Sequence, residues 1–122
     1  MRTIVQLLNC SIAPIPLHRN RLRKRGYNHS EILAKGLSEK LGLKTLNLLE
    51  RVRETKSQFG LKLDQRKKNI KGAFILNTKY LLPDTVFLVD DILTTGSTLF
   101  EASYVLKKNG VKKVYGLALS RD

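Results

Sequence analysis

The chain has 122 residues, 42% of them hydrophobic, which is enough for one buried core and too few for two. Its 23 lysines and arginines against 10 acidic residues leave a net charge of +13, which fits a polyanionic partner, either a nucleic acid or a small phosphorylated ligand, and fits a solvated basic surface equally well. The longest apolar runs fall short of the ~20 residues that a membrane span needs, and the N-terminus lacks a cleavable signal pattern, so we expect a cytoplasmic protein.

The first predicted elements are a strand and a helix. Asn9–Ile15 is typical of a short buried strand that ends where prolines flank Ile15. The strand includes Cys10, which as a single cysteine forms no Cys-x-x-Cys zinc site and is typical of a small core residue. Apolar residues recur at helical spacing over Asn28–Leu41, with Asn28 or Ser30 as the N-cap and Gly42 as the stop, and therefore predict an amphipathic helix.

The remaining elements alternate between strands and helices. The pattern predicts strands at Thr45–Leu49, Ala73–Leu76, Thr85–Val89 and Lys113–Leu119, and a helix at Ser97–Asn109. The polar, basic stretch Glu50–Gly72 has little apolar periodicity and is interpreted as a long loop. The alternation indicates an α/β fold with a mostly parallel sheet.

The residues that follow Val89 lie where ligands bind in such a sheet, beyond the carboxyl ends of its strands. Asp90 and Asp91 supply two carboxylates there, and Thr94-Thr95-Gly96-Ser97-Thr98 places hydroxyl groups around a glycine just before a helix. Consecutive N–H groups at a helix start form an anion cradle, so the segment suits a sugar phosphate. The nucleotide P-loop needs Gly-Lys before Ser or Thr, and this dipeptide is absent.

Simpler explanations exist for the single residues of this segment. Asp90 and Asp91 can merely end a strand, and Thr95 or Ser97 can merely cap the next helix. These explanations do not account for the whole string of four apolar residues, two acidic residues, two variable residues and Thr-Thr-Gly-Ser-Thr. The string resembles the binding motif of type I phosphoribosyltransferases.

The rest of the chain resembles the ComF family, phosphoribosyltransferase-like proteins associated with DNA uptake in competent bacteria. The matching segments are Pro14-Ile15-Pro16-Leu17-His18, Arg25-Gly26-Tyr27-Asn28, Thr55-Lys56-Ser57-Gln58 with Leu61, Arg66 and Asn69, and Gly72-Ala73-Phe74. Two positions depart from the family pattern, because Tyr27 replaces the usual Phe and His29 stands where Gln is usual. The resemblance implies a type I phosphoribosyltransferase-like α/β fold with flanking helices and a long flexible loop.

Many ComF relatives begin with a four-cysteine zinc ribbon and an additional strand and helix, and this sequence carries neither before its Pro-x-Pro segment. We therefore expect residues 1–122 to form one phosphoribosyltransferase-like domain that is shortened at its N-terminus, either as a natural short form or as a fragment. No metal-ligating residues are predicted.

By resemblance, the ligand is phosphoribosyl diphosphate, held together with Mg²⁺ that binds mainly through the ligand. The implied ligand-binding residues are Asp90, Asp91, Thr94, Thr95, Gly96, Ser97 and Thr98, together with Leu17, His18 and Arg19 near the first strand. The long loop would close over the reacting centre, and its candidates for catalysis are Gln58, Arg66 and Asn69.

A basic segment of four residues, Arg21, Arg23, Lys24 and Arg25, is assigned to nucleic acid, although one or two of these side chains can instead reach diphosphate oxygens. The resulting hypothesis is a protein that binds phosphoribosyl diphosphate and handles internalised single-stranded DNA, with other DNA-import proteins as further partners. The alternative is an active transferase whose acceptor the sequence does not identify. Aromatic residues that could contact an acceptor base are Tyr27, Phe59, Phe74 and Tyr104.

Overall fold

The computed structural model describes residues 9–55, 60–93 and 96–121. The described residues form six strands and four helices. The strands are β1 (Cys10–Pro14), β2 (Lys44–Thr45), β3 (Leu49–Arg51), β4 (Phe74–Leu76), β5 (Thr85–Leu93) and β6 (Lys113–Arg121). The helices are α1 (Arg19–Arg25), α2 (His29–Leu41), α3 (Leu63–Ile70) and α4 (Ser97–Lys108).

Four strands form a parallel sheet in the order β2-β1-β5-β6. The central pair is aligned from Cys10 opposite Thr85 to Pro14 opposite Val89. Strands β3 and β4 form a separate antiparallel pair. The predicted α/β class with a mostly parallel sheet is confirmed, and all four parallel strands end at the same edge.

Helices cover both faces of the parallel sheet. On one face α2 packs Ala34 against Ile12 and Val89. On the other face a larger cluster joins Leu88 of β5 to Leu106 of α4 and to residues of α3 and the β3–β4 pair. Each fully buried aliphatic side chain contributes about 1.5–3 kcal/mol relative to an exposed one, so these two clusters fix the orientation of β5.

The central strand β1 tolerates a proline at position 14 because its pairing with β2 ends before that residue. The Ile15 N–H donates to the Val89 carbonyl at 2.8 Å, which places the missing Pro14 N–H on the side of β2. The β1–β2 pairing ends at Ile12 opposite Thr45, so no ladder hydrogen bond is lost at Pro14. The proline therefore marks the carboxyl end of β1, as predicted.

Two sequence-based assignments in the middle of the chain were wrong. The predicted strand Thr45–Leu49 is divided, because Leu48 N–H donates to the Leu46 carbonyl in a tight turn that separates β2 from β3. The predicted loop Glu50–Gly72 begins within β3 and contains α3, whose only buried residue is Ile70. With one buried position in eight, α3 has no apolar periodicity to detect.

One helix and one strand end also differ from the prediction. The basic segment Arg19–Arg25 is a helix capped by His18 and Gly26, for which the sequence predicted no element. Strand β5 does not end at Val89 but continues to Leu93, paired with β6 as far as Arg121. Helix α2 follows its prediction closely, with Asn28 as the N-cap.

Candidate functional site

Asp90 and Asp91 lie within β5, near the edge at which the parallel strands end. Their side chains leave the strand on opposite faces, and both carboxylates reach the start of α2. Each carboxylate accepts a hydrogen bond from the next backbone N–H, with Asp91 N to Asp90 Oδ1 at 2.9 Å and Ile92 N to Asp91 Oδ1 at 3.0 Å. Both carboxylates are therefore positioned before any ligand arrives.

Asn28 connects the end of β1 to the start of α2. Its side-chain Nδ2 donates to the Ile15 carbonyl at 3.0 Å, and its Oδ1 accepts from the Ser30 N–H at 3.1 Å as the N-cap. This junction brings His29 Nδ1 to 3.7 Å from Asp91 Oδ2 and Ser30 Oγ to 3.5 Å from Asp90 Oδ1. His29, which the sequence left without a role, is thus a neighbour of the acidic pair.

The Asp90 carboxyl has an unusual pKa. Burial, followed by the hydrogen bond and the negative charge of Asp91, raises this pKa to about 7, against the lowering effects of the Asp91 N–H and the Arg51 charge. Near neutral pH the carboxyl thus takes or releases a proton easily. A ligand that donates hydrogen bonds to Asp90 would favour the ionised form.

Arg51, at the end of β3, is a site residue that the sequence analysis missed. Its guanidinium carbon lies 4.9 Å from the centre of the Phe74 ring, and burial lowers its pKa to about 10, so it stays charged at neutral pH. Among the described residues, its buried Nε has no hydrogen-bond partner. The sequence offers no signal for Arg51, because this residue lies in the basic stretch Glu50–Gly72 that the pattern predicts to be a loop.

The predicted phosphate-binding segment lies between β5 and α4. Gly96 is the N-cap of α4 and has φ 83°, a left-handed conformation that favours glycine. Ser97 is buried and Thr98 half-buried in the first turn, while Thr94 and Thr95 lie outside the described residues. The N-cap of α4 thus follows the acidic pair after four residues, and the N–H groups of a helix start are suited to an anion.

The predicted ligand-binding residues near β1 have clear local positions. Leu17 and His18 are half-buried, and Arg19 is exposed at the start of α1. His18 Nδ1 accepts a hydrogen bond from the Asn20 N–H at 3.2 Å and so caps this helix. His18 therefore has a structural contact in addition to its predicted role.

The basic residues of α1 divide into two groups. Arg21 donates from Nη2 to the Thr55 carbonyl at 3.0 Å, and the neighbouring Asn20 Nδ2 donates to Glu54 Oε2 at 3.1 Å. These contacts attach α1 to the segment that follows β3. The other three residues of the predicted nucleic-acid segment, Arg23, Lys24 and Arg25, are exposed in the last turn.

Of the predicted catalytic residues, Arg66 and Asn69 lie on α3, which packs beside α4, and Gln58 lies outside the described residues. The Asn69 carbonyl accepts from Arg53 Nη2 at 2.7 Å, so α3 is held to the segment after β3. Among the aromatic candidates, Phe74 is buried, Tyr27 and Tyr104 are more than half exposed, and Phe59 lies outside the described residues.

Comparison with known proteins identifies the family. The family model for the phosphoribosyl transferase domain matches residues 25–120, which include the acidic pair, Gly96 and the start of α4. The chain belongs to this family. The type I phosphoribosyltransferase-like fold inferred from the motif is thereby confirmed. No helix among the described residues is long and apolar enough to cross a membrane.

Curated relatives agree with the resemblance to ComF proteins. Competence protein F of Haemophilus influenzae is 44% identical over 113 residues, covering 88% of this chain and 49% of that protein. DNA utilization protein YhgH of Escherichia coli is 36% identical over 111 residues, covering 90% and 48% of the two chains. Competence protein ComFC of Streptococcus pneumoniae is 33% identical over 107 residues, covering 88% and 46%. The chain thus spans about half the length of the curated relatives it matches.

Proposed function

We propose that the chain binds phosphoribosyl diphosphate at the carboxyl end of β5 and acts in DNA uptake by handling internalised single-stranded DNA in the cytoplasm. The observation that carries the first part is the positioned pair Asp90 and Asp91, followed by left-handed Gly96 at the start of α4. Membership of the phosphoribosyl transferase domain family supports the same ligand class.

Each part of the ligand has a chemical counterpart in this arrangement. The two carboxylates accept hydrogen bonds from vicinal ribose hydroxyls, and the first N–H groups of α4 receive the 5-phosphate. Arg51 is a charged group near Asp90 with an unpartnered Nε among the described residues, which suits it to diphosphate oxygens. His29 Nδ1 lies 3.7 Å from Asp91 Oδ2 and is therefore a neighbour of that carboxylate.

We propose Mg²⁺ as a cation that binds mainly through the ligand. The described residues contain no group of three or more acidic, histidine or cysteine side chains that could enclose a metal ion. Asp90 and Asp91 nevertheless offer carboxylate oxygens, which Mg²⁺ prefers, beside the expected position of the diphosphate. When bound, the cation would neutralise diphosphate charge, while the protein supplies orientation through the two carboxylates.

The DNA part of the proposal is supported by charge and by relatives. Proteins named for competence and for DNA utilization match most of this chain. The net charge of +13 exceeds what one small ligand requires, and Arg23, Lys24 and Arg25 are exposed together at the end of α1. Such a surface can follow a nucleic-acid backbone, with further DNA-import proteins as partners.

Calorimetric titration with phosphoribosyl diphosphate and Mg²⁺, with and without single-stranded DNA, tests the proposal. We expect saturable heat in both conditions, and a salt-dependent gel shift with the DNA alone. Absence of heat would remove the sugar-phosphate part, and a gel shift that is insensitive to salt would argue against the DNA part.

An active phosphoribosyltransferase is the second candidate function, and Arg51 favours it. A half-buried cation near the acidic pair is suited to the charge that develops on a departing diphosphate. Addition of bases and amines to the protein under saturating phosphoribosyl diphosphate would then release diphosphate. A screen without release, in the presence of tight binding, would leave the binding function alone.

A further inference from the structure

Helices α3 and α4 enclose a groove on the far side of α4 from β5. Its deeper part is a cavity of about 520 Å³ bordered by Lys67 and Ile70 of α3 and by Phe100 and Tyr104 of α4. A second depression of about 510 Å³ continues along α4 and shares Lys71 and Tyr104 with the first. The two form one groove, here called the α3–α4 groove. Of the residues assigned to phosphoribosyl diphosphate, Gly96 and Ser97 border its end.

Two aromatic rings are unusually exposed in this groove. Phe100 is 73% exposed and Tyr104 is 55% exposed, although each sits on a helix whose other face carries the fully buried Ala102 and Leu106. Their positions are four residues apart, so they stand on one side of α4, about 6 Å from each other along its axis. Large exposed rings of this kind cost free energy in water and are typical of binding surfaces.

Positive charge accompanies the rings. Lys67 and Lys71 line the groove from the side of α3, and Lys108 Nζ lies 6.0 Å from the centre of the Tyr104 ring. The groove also contains one carboxylate, Glu101, whose Oε1 accepts a hydrogen bond from the Gly72 N–H at 3.1 Å. Three lysines against one tied carboxylate make the groove complementary to an anionic partner.

We propose that the α3–α4 groove binds single-stranded nucleic acid, with bases stacked on Phe100 and Tyr104 and phosphates contacting Lys67, Lys71 and Lys108. Helix positions about 6 Å apart along the axis do not match the ~3.4 Å base step of a duplex strand. Two rings on such positions suit bases that are spread onto separate platforms. This inference rests on the proposed DNA-handling function and gives it a second binding surface, in addition to the exposed end of α1.

The test is fluorescence anisotropy with a labelled oligo-dT, which has no internal base pairing. The variant Phe100→Ala/Tyr104→Ala should bind about 10- to 100-fold more weakly, because stacking on each ring is lost while the charges remain. Its slope of log affinity against log salt should be unchanged. Tyr104→Phe keeps the ring and should bind as the unmodified protein does.

Two double lysine variants distinguish the effect of charges in the groove from the effect of charges elsewhere on the surface. Lys67→Gln/Lys71→Gln should lower the salt slope by about 1.4, since each phosphate contact to a single strand contributes ~0.7. Lys40→Gln/Lys44→Gln removes two exposed charges on the side of α2 and should change the slope much less. Circular dichroism of every variant establishes that it is folded, and retained phosphoribosyl diphosphate binding gives a second readout.

Three other outcomes would contradict the groove assignment. If the unmodified protein does not bind oligo-dT, the proposed DNA function and this groove both fail. If it binds and the aromatic variant binds equally well, the groove assignment is overturned while the proposed function stands. If light scattering shows a dimer that the aromatic variant dissociates while its oligo-dT affinity is unchanged, the groove joins two copies of the chain and the inference is also overturned.

Discussion

At the carboxyl end of β5, two carboxylates are held by backbone N–H groups and by the start of α2, whereas at the end of α1 three cationic side chains are exposed to solvent. The first arrangement is fixed in advance, so it can select a ligand by the positions of its hydroxyl groups. The second arrangement adapts to a backbone of repeated phosphates and depends on salt. Specificity therefore lies at the carboxyl end of β5, and adaptable charge lies at the end of α1.

The largest expected effect comes from Gly96→Val. Gly96 has φ 83°, which a β-branched residue adopts only at a cost of about 1–3 kcal/mol, so the start of α4 would change shape. We expect at least a ~100-fold loss of phosphoribosyl diphosphate affinity by calorimetry, which corresponds to ~3 kcal/mol. Oligo-dT affinity should fall far less, because Gly96 borders only the end of the α3–α4 groove and Phe100 and Tyr104 lie one and two turns further along α4.

Gly36 provides the matched control for this substitution. It lies within α2, and a Cβ added to it meets no atom within 4 Å. Gly36→Val should therefore leave both affinities unchanged. Equal losses in the two variants would mean that the shape of the α4 start is not important.

Arg51→Met should weaken phosphoribosyl diphosphate binding by about 10- to 100-fold, because a charged hydrogen bond in a partly buried site is worth ~1.5–3 kcal/mol. Because the Arg51 charge lowers the Asp90 pKa, its removal should also shift the pH dependence of binding to higher pH. Arg51→Lys keeps the charge and should preserve the pH midpoint. An unchanged pH midpoint in Arg51→Met would show that the Arg51 charge does not act on the Asp90 carboxyl.

We expect the free energy of unfolding to depend on pH through the Asp90 carboxyl. Its folded-state pKa of about 7 is above the reference value of 3.8, so the stability it contributes is complete below pH 3.8 and is lost as pH rises through about 7. Asp90→Asn has no such loss. Relative to the unmodified protein, the variant should gain about 1–3 kcal/mol in urea unfolding between pH 4 and pH 8.5, with partial solvent exposure taken into account. A constant difference across this range would contradict the raised pKa.

The smallest effect is expected at α1. Replacement of Arg23, Lys24 and Arg25 by Gln should lower the salt slope of oligo-dT binding by about 2, at ~0.7 for each charge. Phosphoribosyl diphosphate affinity should stay within a factor of ~2, since these side chains are exposed at the far end of the helix from Arg19. A large loss of sugar-phosphate binding would show that α1 belongs to the sheet-edge site.

Residues with strong local patterns were predictable, and residues positioned by distant contacts were not. The apolar run of β5 and the capped, periodic α2 follow from sequence alone, as does the acidic pair before a glycine-started helix. Helix α1 was missed because its cationic sequence has no apolar stripe, and it is held by contacts from Asn20 and Arg21 to residues thirty-four positions away.

The same difference explains which site residues the sequence could predict. The carboxylates were found because a type I phosphoribosyltransferase motif is contiguous, whereas Arg51 and Phe100 are brought to their surfaces by packing. Phe100 lies on the face of α4 opposite the buried Ala102 and Leu106, but the sequence does not show whether another element covers that face. Its 73% exposure is visible only in the folded chain.

Calorimetric titration of phosphoribosyl diphosphate with Mg²⁺ into the unmodified protein and into Asp91→Ala tests the central claim most directly. Saturable heat for the unmodified protein, its absence in Asp91→Ala, and oligo-dT binding kept by both would agree with a specific sugar-phosphate site at the end of β5. The same heat in both proteins, or none in the unmodified protein, would contradict it.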